Sequence, residues 1–497
     1  MSNIISIRSM NYSAKKDAFP YQVEAFNAIK DLEYAAIFHE QGLGKTKIAI
    51  DLCLYWLTKK DIDSVLIVTK KQLVQNWIEE FKTHSFIKPV VLNDNRGNNF
   101  YVFNGISKII IANFETIGIE YDRVSLFLKC RNVAVVIDES TKIKNPDSNI
   151  TKCFFELSPL FCIRVIMTGT PVANRPYDIW AQIYFLDFGK ALGDNFSEFK
   201  RTTDLSNDLH LNETRRDAFE HSVGSIFERI RPFSVRETKK SCSIDLPEKR
   251  IITRYAYFEA KQQEMYSSIV RNYMVEVNQE GSIVIDNDEE CLKRLLRLNQ
   301  VTSNPRLLDR EYTQLSGKEV VLDSIIKEIL SRNEKCIVWS SFIDNVEYYA
   351  SKYKNYNAVK IHGSMSIDER NHSVKVFKSD DQCKLLFATP QAAKEGLTLT
   401  VANNAIFYDR SFNLDDYLQA QDRIHRISQT KTCTIYNIII KGSIDDWIES
   451  LLEAKQYAAA LAQGDISQNE YITLANYTYA EIMRQVLQEA INNGENT

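Results

Sequence analysis

Residues 34–46 read Tyr34-Ala35-Ala36-Ile37-Phe38-His39-Glu40-Gln41-Gly42-Leu43-Gly44-Lys45-Thr46. A short apolar run enters a glycine-containing turn, and Lys45–Trp56 behind it has the spacing of an amphipathic helix. Strand, glycine turn and helix in that order form a cradle for phosphate. Glycines such as Gly42 and Gly44 let backbone N–H groups crowd an anion, and the helix N-terminus favours negative charge. Lys45 adds a point charge for the β- and γ-phosphates. The Thr46 hydroxyl would sit on Mg²⁺. His39 stands where the strict spacing asks for glycine, so a plain glycine turn before a helix is the competing reading.

About ninety residues further on, Val133–Ile137 is a second apolar strand, ending in Asp138-Glu139-Ser140-Thr141. Alone, an acidic pair at a strand end is more often a helix cap. Behind a phosphate loop, Asp138 would hold Mg²⁺ and Glu139 would orient or deprotonate an attacking water. The joint pattern points to ATP hydrolysis.

The rhythm of apolar strands and amphipathic helices extends outward from this centre, giving an α/β protein with parallel sheets flanked by helices. Between about Phe19 and Leu186 the predicted strands are Tyr34–Phe38, Ser64–Thr69, Lys108–Ala112, Val133–Ile137 and Ile163–Met167, with a helix over Lys71–Lys82. A second such region, Lys318 to Leu452, has predicted strands at Cys336–Trp339, Ala358–His362, Lys384–Ala388, Ala405–Tyr408 and Thr432–Ile440. The charged stretch between them, Gly189 to Gln314, reads as helical. Its runs Asn212–Asp217 and Asp286–Glu290 read as solvated helix faces. Beyond Leu452 the chain reads as Ala- and Gln-rich helix.

A length of 497 residues suggests roughly three units or two large ones. Hydrophobic residues at 44% and charged residues at 25% are ordinary for a globular protein. No apolar run approaches the roughly 18 residues of a membrane span, and Met1–Arg8 lacks the pattern of a signal peptide. Nine scattered cysteines without a C-x-x-C pair favour neither a disulfide framework nor a zinc ribbon. A reducing cytoplasm is the expected setting, with no membrane and no zinc. The net charge of −4 leaves nucleic acid to a local basic track.

Together with downstream motifs, these residues resemble the SWI/SNF-type ATPases of helicase superfamily two. Phe19-Pro20-Tyr21-Gln22 looks like the adenine-recognising Q motif, with Gln22 as its glutamine. Val65–Thr69 with Gln75-Asn76-Trp77 resembles motif Ia, Asn113-Phe114-Glu115-Thr116 motif Ib, Asp138–Asn145 motif II and Thr168-Gly169-Thr170-Pro171 motif III. Asn299–Pro305 and Ser316-Gly317-Lys318 resemble the family's segment between lobes. Trp339–Phe342 looks like motif IV, Gly396-Leu397-Thr398-Leu399 motif V and Gln419–Gln429 motif VI. The match runs from about residue 19 to 450. His39 replaces the family's usual Asp, Ser140-Thr141 its Ala-His and Phe412-Asn413-Leu414 its Trp-Asn-Pro. Ala393–Gly396 departs from a Gly-Gly-x-Gly run. These departures look like the distant branch that includes annealing helicases and virus-encoded members.

The resemblance implies two RecA-like lobes with helical insertions between them. An ATP-binding lobe would take residues 1–188, an insertion 189–315, a helicase lobe 316–452 and a helical tail 453–497. It implies ATP and Mg²⁺ as cofactors, with Gly396 joining Gln22, Gly42, Gly44, Lys45 and Thr46 at the nucleotide. Arg423 and Arg426, three apart on a predicted helix and sharing a face, become arginine fingers; Gln419 is the third member of that group. Lys70, Lys71, Thr116, Ser341 and Thr389 are the candidate phosphate contacts to nucleic acid, each an ordinary surface residue when taken singly. The expected activity is an ATP-driven translocase or remodeller on double-stranded DNA, in replication, repair, recombination or defence. The alternatives are a helicase that separates DNA or RNA strands, and a nucleotide-gated clamp on nucleic acid that recruits a protein partner. Single-stranded DNA and RNA are the alternative ligands.

Overall fold

The computed structural model describes residues 11–475 apart from 94, 173, 206–208, 210–211, 243–245, 281–287, 393–396 and 427. These residues form two units. One takes 11–205, 213–242 and 458–472, and the other is built chiefly from 246–457.

The first unit holds a sheet of seven strands: β1 (Tyr34–Ile37), β2 (Ser64–Thr69), β3 (Val90–Val91), β4 (Ile109–Asn113), β5 (Val133–Asp138), β6 (Ile163–Met167) and β7 (Ser234–Val235). Their order is β3-β4-β2-β5-β6-β1-β7, and every pairing is parallel. Strands β2, β4, β5 and β6 are buried along their whole length, as expected where helices cover both faces. Helix Lys45–Lys59 lays Ile48, Leu52 and Trp56 into the core with Ile37, Val65 and Val136. Because the strands are parallel, their carboxyl ends open along one edge, where ligands of such sheets bind. That edge carries the loop after β1, Lys70 after β2, Thr116 beyond β4, Glu139 after β5 and Thr168 after β6.

The second unit repeats the design with β8 (Lys249–Ala256), β9 (Cys336–Trp339), β10 (Val359–Ile361), β11 (Leu385–Ala388), β12 (Asn404–Phe407) and β13 (Cys433–Ile440). The order is β10-β11-β9-β12-β13-β8, again all parallel. Trp339 and Phe407 stack in its core at 6.5 Å between ring centroids.

All ten predicted strands form, with ends shifted by at most one residue. Three others were not predicted. β3 and β7 have two residues each, too few for a periodic signal. β8 is an edge strand on which Lys249, Arg250 and Arg254 are exposed, and these charges mask any apolar alternation. The charged region between the predicted sheets thus supplies a strand to each sheet and is not helical throughout. The helix expected from Lys71 opens with a 3-10 turn, Lys71–Leu73, and is α-helical over Val74–His84. Beyond Leu452 helical structure continues in Ile444–Ala462 and Gln468–Leu474. Residues 1–10 and 476–497, Asp286, Asn287 and the 393–396 segment with Gly396 lie outside the described residues. No helix among the described residues is long and apolar enough to cross a membrane.

Candidate nucleotide site

Gly44 caps helix Lys45–Lys59 at φ +68°, a conformation that favours glycine. A side chain there would also collide with Gln22, whose Nε2 lies 2.3 Å from where a Cβ would stand. Gln22 is buried; its Oε1 accepts from the Phe19 N–H at 2.9 Å and its Nε2 donates to the Leu43 carbonyl at 3.2 Å. The amide therefore ties the start of helix Pro20–Ile29 to the phosphate loop. Phe19 stacks on Tyr21 at 5.9 Å and leaves an exposed aromatic face. Lys45 Nζ donates back to the carbonyls of His39 at 3.0 Å and Glu40 at 3.4 Å, which holds the ammonium over the loop. Gly169, beyond β6, packs against this loop so closely that a Cβ would lie 2.7 Å from Gln41 Cγ and 3.2 Å from Lys45 Nζ.

Asp138 ends β5 and is buried. Its Oδ2 accepts from Trp77 Nε1 at 2.8 Å and from Thr69 Oγ1 at 3.1 Å. Burial, and then the charge of Glu139, hold its carboxyl above the usual range, against those two hydrogen bonds and the nearby Lys45 ammonium. A divalent cation would relieve that crowding of negative charge. Asp138 therefore fits Mg²⁺, an ion that needs only one or two carboxylates beside phosphate oxygens and water. Glu139 follows at φ +56°, left-handed backbone that a non-glycine residue adopts at a cost of about 1 kcal/mol or more, and such residues cluster at working sites. Its Oε2 is buried, accepts no hydrogen bond among the described residues and lies 4.0 Å from Lys70 Nζ. Ser140 Oγ donates to Gln182 Oε1 at 2.7 Å, and Gln182 Nε2 donates to the Pro171 carbonyl at 2.9 Å. One buried glutamine thus links the turn after β5 to the turn after β6.

His39 is fully buried, and neither ring nitrogen has a hydrogen-bond partner among the described residues. Burial, reinforced by the Lys45 charge, pushes its pKa down to about 4, so the ring is neutral at physiological pH. The sequence marks this position only as a departure from a pattern.

In the second unit the arginines are not on a helix. Helix Leu414–Gln421 stops before them, and Arg423 and Arg426 sit in successive turns without a shared helical face. No glycine or proline breaks the helix. Tertiary donors replace its bonds: the Leu399 N–H donates to the Arg423 carbonyl at 2.9 Å, and Gln429 Nε2 donates to the carbonyls of Ile424 at 3.0 Å and Ala402 at 2.9 Å. Arg423 is 2% exposed, with Nη1 3.4 Å from the Leu397 carbonyl. Arg426 is half-buried; Nε donates to the Asp422 carbonyl at 2.9 Å and Nη1 to Thr398 Oγ1 at 3.1 Å. Gln419 is buried and donates to Asp415 Oδ1 at 2.8 Å.

At the carboxyl edge of this second sheet lies a carboxylate that the sequence reading missed. Asp409 is buried; its Oδ2 accepts from Ser340 Oγ at 2.5 Å and Ser303 Oγ at 2.7 Å, and its Oδ1 from the Ser341 N–H at 2.6 Å. Asn345 Nδ2 donates to Ser303 Oγ at 2.8 Å and Ser340 Oγ at 3.1 Å, closing the network. The signal available in sequence was an Asp directly after an apolar strand.

The nucleic-acid candidates separate by exposure. Lys71 is exposed, and Lys70 and Ser341 are partly so. Thr116 and Thr389 are 2% and 6% exposed, in contrast to the surface positions expected of them. Thr116 lies in the first turn of helix Phe114–Ile119, where its N–H donates to the capping Asn113 side chain at 2.9 Å. Thr389 continues straight from β11, its N–H donating to the Ile361 carbonyl at 3.0 Å. Buried hydroxyls do not meet a strand's phosphates without a backbone change.

Residues 26–307 match the SNF2-related domain and residues 320–428 the helicase conserved C-terminal domain. An uncharacterised ATP-dependent helicase of Mycoplasma genitalium is 27% identical over 446 residues, covering 87% of this chain and 41% of that one. The ISWI chromatin-remodelling complex ATPase of Saccharomyces cerevisiae is 24% identical, covering 90% of this chain and 40% of that one. This chain thus spans about two fifths of the length of these relatives. Among solved structures, the Sulfolobus solfataricus SWI2/SNF2 ATPase core in complex with dsDNA is 24% identical, covers 94% of this chain and 98% of that one, and gives a TM-score of 0.42.

Proposed function

The chain belongs to the SNF2-related family of ATP hydrolases, and on that premise we propose that it is an ATP-driven translocase on double-stranded DNA, serving replication, repair, recombination or defence. The observation that carries the reading is the single edge of the first sheet. It gathers Gln22, the Gly42–Thr46 loop, Asp138 and Glu139 beside Lys70, the first residue after β2.

In this reading Gln22 and the face of Phe19 meet the base, and the amides of the loop and Lys45 hold the phosphates. Asp138 and Thr46 would hold Mg²⁺, which would supply positive charge to the phosphate oxygens. Glu139 accepts the proton of the attacking water. Arg423 and Arg426 supply positive charge to the γ-phosphoryl group, Gln419 is the third member of that group, and Gly396 stays a nucleotide candidate. Lys70, Lys71 and Ser341 contact strand phosphates; Thr116 and Thr389 would join them only after a backbone change. Contacts of this type follow the backbone without reading bases, so binding is sequence-independent and salt-sensitive.

The test is ATP turnover with duplex DNA, single strands and RNA, together with displacement of a triplex-forming strand. Duplex should stimulate most, the effect should fall steeply with salt, and the third strand should come off in an ATP-dependent manner. Stimulation by RNA alone would move the reading to an RNA helicase. ATP-dependent grip without displacement would move it to a clamp.

A further inference from the structure

The backbone that holds the Lys45 ammonium is itself held from another side. The His39 and Glu40 carbonyls, which accept from Lys45 Nζ, belong to the stretch that leaves β1. β7 and the residues after it grip that same stretch. The Phe38 N–H donates to the Val235 carbonyl and the Glu40 N–H to the Glu237 carbonyl, each at 2.8 Å. The Lys239 N–H donates to Glu40 Oε2 at 2.8 Å, and Arg236 Nη1 donates to the Phe38 carbonyl at 2.8 Å. An arginine side chain loses much rotamer freedom when it is fixed, so this guanidinium needs an anchor. Asp465 is that anchor: Arg236 Nε donates to its Oδ1 at 2.7 Å and Nη2 to its Oδ2. A two-point pair of this kind fixes the plane of the guanidinium as well as its place. Asp465 is in turn set by the chain around it. Its N–H donates to the Ala460 carbonyl at 2.9 Å, and Gly464 before it has φ +71° and packs so closely that a Cβ would lie 2.5 Å from Phe227 Cδ1.

We propose, resting on the phosphate-binding role given to the Gly42–Thr46 loop above, that Asp465 is a positioning residue for that loop. It fixes the Arg236 guanidinium on the Phe38 carbonyl, which keeps the next two carbonyls where they hold Lys45, and so it sets the affinity for the nucleotide's phosphates. Without the carboxylate, Arg236 leaves the Phe38 carbonyl and the backbone at the mouth of the loop drifts. Lys45 meets the phosphates in the bound substrate as well as in the transition state. A drifting loop therefore weakens both states alike, which raises KM and leaves kcat nearly unchanged. ADP, which bears phosphates but undergoes no reaction, loses affinity in parallel. A pair that merely braced the fold would lower stability and the amount of folded enzyme without moving KM.

The experiment compares full-length wild type, Asp465→Ala, Asp465→Asn, Asp465→Glu and Lys45→Ala. It measures KM and kcat for ATP, the Kd of a fluorescent ADP without nucleic acid, and guanidinium denaturation midpoints. Asp465→Ala should raise the ATP KM and the ADP Kd together by roughly fivefold to tenfold, with kcat within about twofold of wild type. Asp465→Asn, nearly the same shape without the charge, should shift both constants in the same direction by less, and Asp465→Glu should bring them back toward wild type. Values in Asp465→Ala and Asp465→Asn within about twofold of wild type overturn the assignment. So does a loss of activity that follows the folded fraction at constant KM. If Lys45→Ala leaves the ADP Kd at the wild-type value, the phosphate-loop reading itself fails. If Lys45→Ala weakens ADP while the Asp465 variants do not, the loop reading stands and only the role of Asp465 falls.

Discussion

Asp409, just past β12, and Glu139, just past β5, are acidic residues at equivalent edges of two parallel sheets. Asp409 is saturated, with Ser340, Ser303 and the Ser341 N–H all donating to it from ordinary backbone geometry. Glu139 stands in left-handed backbone, with a buried oxygen that accepts no hydrogen bond among the described residues. Native interiors satisfy their polar groups almost everywhere, and exceptions call for a reason. The contrast sets a carboxylate that braces its sheet edge against the one proposed above for chemistry.

The strongest way to break this division is Arg426→Ala. If the second unit supplies transition-state charge, ATP binding should change little while kcat falls by roughly 10³ or more. Equilibrium binding of a fluorescent nucleotide and single-turnover hydrolysis measure the two separately. A kcat within about threefold of wild type would make the second unit a bystander in the chemistry.

The paired substitutions Glu139→Gln and Asp409→Ala test the carboxylates directly. Glu139→Gln should lose about 10³ in turnover with little change in denaturation midpoint. Asp409→Ala should do the reverse. It strands the donors of Ser340, Ser303, Ser341 and Asn345, lowering the stability of its unit by about 4 kcal/mol, while folded protein at low temperature should still bind ATP. Guanidinium titrations with parallel turnover assays read both. Equal destabilisation by the two changes would erase the distinction.

The smallest effect belongs to His39. Its ring is held neutral with a pKa of about 4, below the 6.5 of the exposed side chain. Between those values the unfolded chain binds the extra proton, so stability rises with pH across the window and is lost as pH falls from about 6.5 to 4. The full change is about 3 kcal/mol. Denaturation midpoints from about pH 7 down to about pH 4 should show that slope, and His39→Leu should flatten it. An unchanged slope would locate the acid sensitivity elsewhere.

What could be read in the sequence was local chemistry. Gly44, Lys45 and the Asp138-Glu139 pair announce themselves because glycine conformation, helix N-termini and strand ends are short-range properties. Buried parallel strands such as Ser64–Thr69 announce themselves as continuous apolar runs. What escaped depends on distant partners. The turns holding Arg423 and Arg426 exist because Gln429 and Leu399 take over bonds that a helix would have made. β8 is a strand because it pairs with β13 along its whole length, although its own pattern is polar. Thr116 and Thr389 read as surface residues, and the strands that precede them carry both into the interior.

The first unit is also not contiguous in the chain. Arg236, just after β7, donates from Nη1 to the Phe38 carbonyl at the mouth of the phosphate loop, and from Nε to Asp465 Oδ1 at 2.7 Å. The arginine and its aspartate are 229 residues apart. At a synthesis rate of about 5–20 residues per second, the aspartate leaves the ribosome roughly 10 to 45 s after the arginine. During that interval the loop's neighbour waits with an unmatched guanidinium, while the whole second sheet is made. The nascent chain therefore completes the surroundings of its phosphate loop only after the second sheet has been translated.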